Sequence, residues 1–183
     1  DNNPVILIEH RMLYYQYGPV IKGLYEVPEG KSRIVRTGSD ITIVGISFMQ
    51  VESFRATTYL KSVGISAEII DPVWLAPLDT ETIYQSLLKT KRILVVDNGW
   101  LSCGASAEIL ARLVEEWPDS SFPQVRRMGF APVPCPTAPN LEHLFYPNAR
   151  TIAAKAYEMV TGNSDWFPEE VAEIEEVEFR GPF

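Results

Sequence analysis

Three short, largely apolar runs, Ile41 to Ile46, Ala67 to Ile70 and Ile93 to Val96, and a last strand candidate, Val125 to Met128, punctuate this chain, and amphipathic stretches separate them. Runs of this length bounded by turn residues read as buried strands. The stretches between them keep helical spacing. Met49 to Val63 carries apolar or small residues at Val51, Phe54, Ala56, Tyr59 and Leu60, near helical spacing, with Gly64 where a left-handed cap would end the helix. Asp79 precedes a run through Leu88 that carries Glu81 and Thr82 in its first turn, the pattern of a capped helix. Ala105 to Trp117 aligns Ile109, Leu110, Leu113 and Val114 before Pro118 stops it, and Ala149 to Val160 ends at Gly162. Strands that alternate with helices build a mostly parallel sheet covered on both faces. The expected fold class is therefore α/β, a three-layer α/β/α arrangement around a five-stranded sheet with one antiparallel strand. That strand is expected at Arg33 to Arg36, joined to Ile41 to Ile46 as a hairpin through the turn Thr37-Gly38-Ser39-Asp40.

Val5 to Ile8 is a fifth β-branched run, and it also reads as a buried strand. It has no obvious partner, because Glu9 to Lys31 is a long stretch of tyrosine, glycine and proline without period. A connection of that length is unusual inside one domain. The expectation is that residues 1–30 are the end of a missing domain plus a linker, that 31–162 form the present domain, and that 163–183 are an acidic tail. A start at Asp1, with no basic or apolar leader after it, fits a piece of something longer.

Charge narrows the function classes. The net charge is −8, and seven acidic residues with a single arginine fall in 163–183, leaving the rest of the chain nearly balanced. No basic field is available to collect nucleic-acid phosphates. No apolar run approaches the roughly 20 residues of a membrane-spanning helix. Cys103 and Cys135 are the two cysteines, a number that suits a reducing compartment such as the cytoplasm.

The segment Gly99 to Gly104 lies where a strand hands over to a helix, a position at which α/β folds bind ligands. It lacks the Lys-Ser/Thr ending of a phosphate loop and the three-glycine dinucleotide fingerprint. Gly104 is expected to serve close packing of helix against sheet or subunit. Cys103 could ionise at the helix start but has no base beside it in sequence, so a small buried thiol is the expectation. His10, next to Glu9, is expected at a surface or interface, and His143 to pack in a loop. Two histidines and two cysteines at scattered spacing make no zinc signature. The stiff segment from Pro132 to Pro139, within a proline-rich loop expected to run to Pro147, suits docking on another surface, since proline lowers the entropy lost on binding. In the tail, Trp166, Phe167, Ile174, Val177 and Phe179 stand between glutamates, an amphipathic pattern that can pack on its own domain or on a basic partner.

Read in order, these segments resemble the C-terminal domain of the transketolase superfamily, and most of all the beta subunit of 2-oxoacid dehydrogenases acting on pyruvate or branched-chain acids. The residues that carry the likeness are Asn3 to His10 with Leu13-Tyr14, Gly38 to Val44, Ala67 to Asp71, Ala76 to Ile83, Asp97 to Trp100, Gly104 to Ile109 and Pro132 to Pro134. The resemblance implies a complete enzyme that uses thiamine diphosphate and magnesium, held between an alpha subunit and a beta N-terminal domain, with no cofactor in this chain and no catalysis by it alone. It also implies partners: the alpha subunit, a second beta subunit and the subunit-binding domain of a lipoyl acyltransferase, in the cytoplasm or the mitochondrial matrix. Gly99, Trp100, Gly104, Pro134 and Pro136 are the expected interface residues, with none catalytic. The alternative is a regulatory module in which the Gly99 to Gly104 loop receives a small anion.

Overall fold

Isoleucine, leucine and valine fill both sides of a five-stranded sheet whose strands run Arg33–Arg36 (β1), Ile41–Gly45 (β2), Ala67–Asp71 (β3), Arg92–Trp100 (β4) and Gln124–Phe130 (β5). The computed structural model describes residues 3–118 and 121–170, apart from the side chains of Pro139, Asn140 and His143. The strand order is β1-β3-β2-β4-β5, parallel except for β1 against β3. Helices Met49–Ser62 (α1) and Ala149–Thr161 (α5) cover one face; Thr80–Thr90 (α2) and Ala105–Glu115 (α3) cover the other. The alternation of side chains along a strand explains why each face has its own core. In β4, Leu94 and Val96 pack under α1 and α5, whereas Ile93 and Val95 pack under α2 and α3. The expected three-layer, mostly parallel sheet is what the chain forms.

The expected hairpin is not formed. β1 pairs with β3, not with β2, and the connecting turn passes over the end of β3. Gly38 makes that passage possible, since a Cβ there would lie 2.2 Å from the carbonyl carbon of Ala67. Ser39 and Asp40 then donate their backbone N–H groups to the Ser66 carbonyl. The turn residues look the same in sequence whichever strand lies beyond them.

Two further expectations are corrected. Val5 to Ile8 form no strand and lie open, with Ile6 at 88% exposure, because no strand of this sheet pairs with them. The linker is likewise largely exposed, but it contains a short 3-10 helix, Arg11–Tyr15, whose entry is capped by His10. The proline-rich loop is interrupted by a helix, Pro139–Phe145 (α4), which begins on proline, the residue whose fixed φ suits a first helical position. His143 therefore falls in a helix and not in a loop; the packing expected of its side chain lies outside the described residues.

The helix ends follow the sequence signals. Asp79 accepts the Thr82 N–H and caps α2, Asn148 and Thr151 form a reciprocal capping box on α5, and Gly162 closes α5 at φ +76°. Beyond Gly162 the chain folds back: Trp166 packs on Tyr157 with ring centres 4.6 Å apart and planes tilted by 36°, and Arg150 sits 4.7 Å from the Phe167 ring while its Nε donates to the Pro168 carbonyl. The first part of the tail thus packs on its own domain. Ile174, Val177 and Phe179 lie outside the described residues.

Candidate functional site

The expected interface residues come from three segments that meet at one end of the sheet. Gly99 and Trp100 are the last residues of β4, Gly104 is the N-cap of α3, and Pro134 and Pro136 lie in the loop between β5 and α4. β4 and β5 end side by side, with Trp100 opposite Phe130. A Cβ on Gly129 would come within 2.6 Å of the Gly99 carbonyl, so the two strands approach here as only glycine permits.

Trp100 is the hinge of an aromatic cluster. Its ring meets Phe130 and Phe145 edge-on, at 6.0 and 5.6 Å between centres. Phe145 is buried and also meets Tyr146 edge-on at 4.8 Å. Edge-to-face pairs at these spacings each stabilise by about 0.5–1.5 kcal/mol beyond burial. The proline loop is tied to the same cluster, for Cys135 lies between Pro134 and Pro136 and its Sγ is 3.5 Å from the Tyr146 hydroxyl. That hydrogen bond, with some burial, holds the Tyr146 phenol above its ordinary pKa.

Around the cluster the surface is apolar. Trp100 remains 45% exposed, Val133 52% and Leu144 77%, and Pro134 is exposed as well. Phe130, Phe145, Tyr146 and Leu144 belong to this site and were not singled out from sequence. The signal that could have found them is the concentration of aromatic residues at Phe130 and at Phe145-Tyr146 on either side of the prolines. Gly104 stands apart from the rings. A Cβ on it would lie 2.1 Å from the Trp100 carbonyl oxygen, which is reason enough for glycine.

The chemistry of the loop is decided by Asp97. Its carboxylate, buried at the end of β4, accepts the Ser106 N–H at 2.8 Å in the first turn of α3. The free amides of that helix therefore already face a negative charge supplied by the chain itself, a poor receptor for a further anion. Cys103 is exposed at φ +58°, not the small buried thiol expected, and no hydrogen bond joins it to a base among the described residues. His10 is engaged elsewhere, stacked on Phe48 at 5.2 Å. Asp71 on β3 is a carboxyl raised by burial, against which the Val73 N–H and Arg33 work. It shares no contact with Asp97 or Cys103 that would make an acid–base pair. Among the described residues no three His, Cys, Asp or Glu side chains gather closely enough to hold a metal ion.

Residues 30–152 match the family model "Transketolase, C-terminal domain". The chain is similar to the acetoin:2,6-dichlorophenolindophenol oxidoreductase subunit beta of Cupriavidus necator, 36% identical over 162 residues that make up 88% of this chain and 48% of that one. It is similar also to the mitochondrial pyruvate dehydrogenase E1 component subunit beta of Dictyostelium discoideum, at 39% identity over 78% of this chain and 41% of the relative. The chain thus spans a little under half the length of these relatives. Among solved structures, a split-gene transketolase in an inactive beta4 tetramer superposes with a TM-score of 0.66 at 24% identity, covering 75% of this chain and 44% of that one, a likeness of fold. No helix among the described residues is long and apolar enough to cross a membrane.

Proposed function

The chain belongs to the transketolase C-terminal domain family, and from that premise we propose that it is the assembly domain of a 2-oxoacid dehydrogenase beta subunit. The observation that carries the reading is the apolar surface around Trp100, built from rings that are fixed from beneath and left uncovered at the rim. Aromatic residues held in place by packing lose little entropy on docking, which is why they dominate the energetics of interfaces. The opposing partners are an alpha subunit, a second beta subunit and the subunit-binding domain of a lipoyl acyltransferase. Residues 1–30 lead in from a preceding domain, which accounts for the exposure of Val5 to Ile8. Thiamine diphosphate and magnesium belong to the complete enzyme, between the alpha subunit and that preceding domain. On this reading it works in a cytoplasm or a mitochondrial matrix, which relatives from a mitochondrion and from a bacterium support.

The alternative, a small anion received by the Gly99 to Gly104 loop, is disfavoured by the Asp97 carboxylate already seated on α3. The test is sedimentation of the full chain alone and after mixing with the alpha subunit or the subunit-binding domain of a 2-oxoacid dehydrogenase complex. Association with at least one of them, or with a second copy, is expected, and Trp100→Glu and Leu144→Glu should each weaken it about tenfold or more. Association that neither substitution changes, or none at all, would overturn the reading. Thiamine diphosphate with magnesium should leave the thermal midpoint of this chain where it was.

A further inference from the structure

A cleft of about 310 Å³ opens where β3 begins, and its wall carries Arg36 and Lys61 beside the hydroxyl residues Thr37, Thr57 and Ser66, with Ile65 among its apolar lining. Arg36 reaches it through an irregularity in β1. The pairing runs Ile34 to Ile70 and then Arg36 to Ile69, so Val35 is an extra residue in the strand. In a regular strand Val35 and Arg36 would point to opposite faces. Here Val35 packs on the core beneath α1, and Arg36 turns to α1 as well, its Nη1 donating to Thr57 Oγ1 at 2.9 Å. Bulges commonly re-aim a side chain in this way next to functional sites.

Among the described residues neither cation is paired with a carboxylate. Thr57 donates its own hydroxyl hydrogen bond to the Phe54 carbonyl, and the guanidinium stands 5.8 Å from the Phe54 ring, contacts that hold Arg36 without cancelling its charge. Lys61 is exposed and makes no ion pair among the described residues. Of the carboxylates of the adjoining segments, Glu68 is paired with Lys89 and takes the Gly38 N–H, whereas Asp40 accepts the Ser66 N–H at 2.7 Å and keeps its charge near the cleft.

We propose that this cleft binds the phosphate group of a small phosphorylated compound. A guanidinium fork and an ammonium lining one cleft suit a dianion with several oxygens better than a single carboxylate. The hydroxyls of Thr37 and Ser66 add short-range donors, and the space beside Ile65 leaves room for an organic portion. The site lies apart from the Trp100 surface and does not depend on the assembly reading.

The test is an amide chemical-shift titration of the full chain with inorganic phosphate and with glycerol phosphate, at constant ionic strength and with chloride as control. Saturable shifts are expected at Thr37, Gly64 and Ser66, with the ester binding at least as well as inorganic phosphate. Lys61→Gln, at an exposed position that leaves the fold intact, and Arg36→Lys should each raise the apparent dissociation constant about tenfold. Tighter binding of the ester identifies an organic phosphate as the ligand; equal binding places all recognition in the phosphate group. Shifts that never saturate, shifts scattered over the surface, or an affinity unchanged in Lys61→Gln would overturn the proposal.

Discussion

Asp79 joins two parts of the chain through one carboxylate. It caps α2 by accepting from the Thr82 N–H and hydroxyl, and it also takes the Ser32 N–H at 2.9 Å, anchoring the approach to β1. Burial would raise its pKa, but these hydrogen bonds together outweigh burial and hold the carboxyl below its ordinary value. A carboxyl whose pKa is lowered by folding adds stability above its unfolded pKa of about 4, and loses it as pH falls through the folded value. Asp79→Asn should therefore destabilise the protein at neutral pH by an amount that shrinks below about pH 4, measured by urea unfolding across that range. A difference that stays constant with pH would show that the charge is immaterial. Asp79 was legible as a helix cap because the signal is local, three residues from its partner. Its bond to Ser32, 47 residues away, was not.

The same division between local and distant holds for whole elements. α1, α2, α3 and α5 were readable from apolar spacing and stop signals, because a helix makes its hydrogen bonds within itself. The partner of β1 was not readable, since strand pairing is settled by which edge is free, and here β2 lies between β3 and β4. α4 was hidden by the prolines around it. At the end of α5 the fold-back offers a measurable case. Trp166 packs against the core beneath α1 and α5 as well as on Tyr157. Trp166→Ala should lower stability by about 0.5–1.5 kcal/mol from the lost ring pair, with a further loss from uncovered apolar surface. A thermal midpoint unchanged in this variant would mean that the strap adds nothing to the domain.

At the scale of the molecule, the sheet and its two helical layers form the stable body, and residues 3–30 are largely exposed. Exposed connections with few buried contacts are cut first by proteases. Trypsin should cleave after Arg11 and Lys22 well before any site between Arg33 and Arg112, leaving a fragment that mass spectrometry finds to begin within residues 12–31. Equally rapid cleavage inside the strands would contradict the division. The Trp100 surface was half legible at this scale: Trp100 and the prolines stood out by residue type, whereas Phe130, Phe145 and Tyr146 join them only after β4, β5 and α4 are brought together. The crossing at Gly38 has a mechanical corollary. Force arriving along the linker meets an edge strand held on one side alone, and would peel it from β3 one pair at a time. β2 is gripped from both flanks and would feel little of the load, so the sacrificial strand acts as a tether that gives way before the centre does.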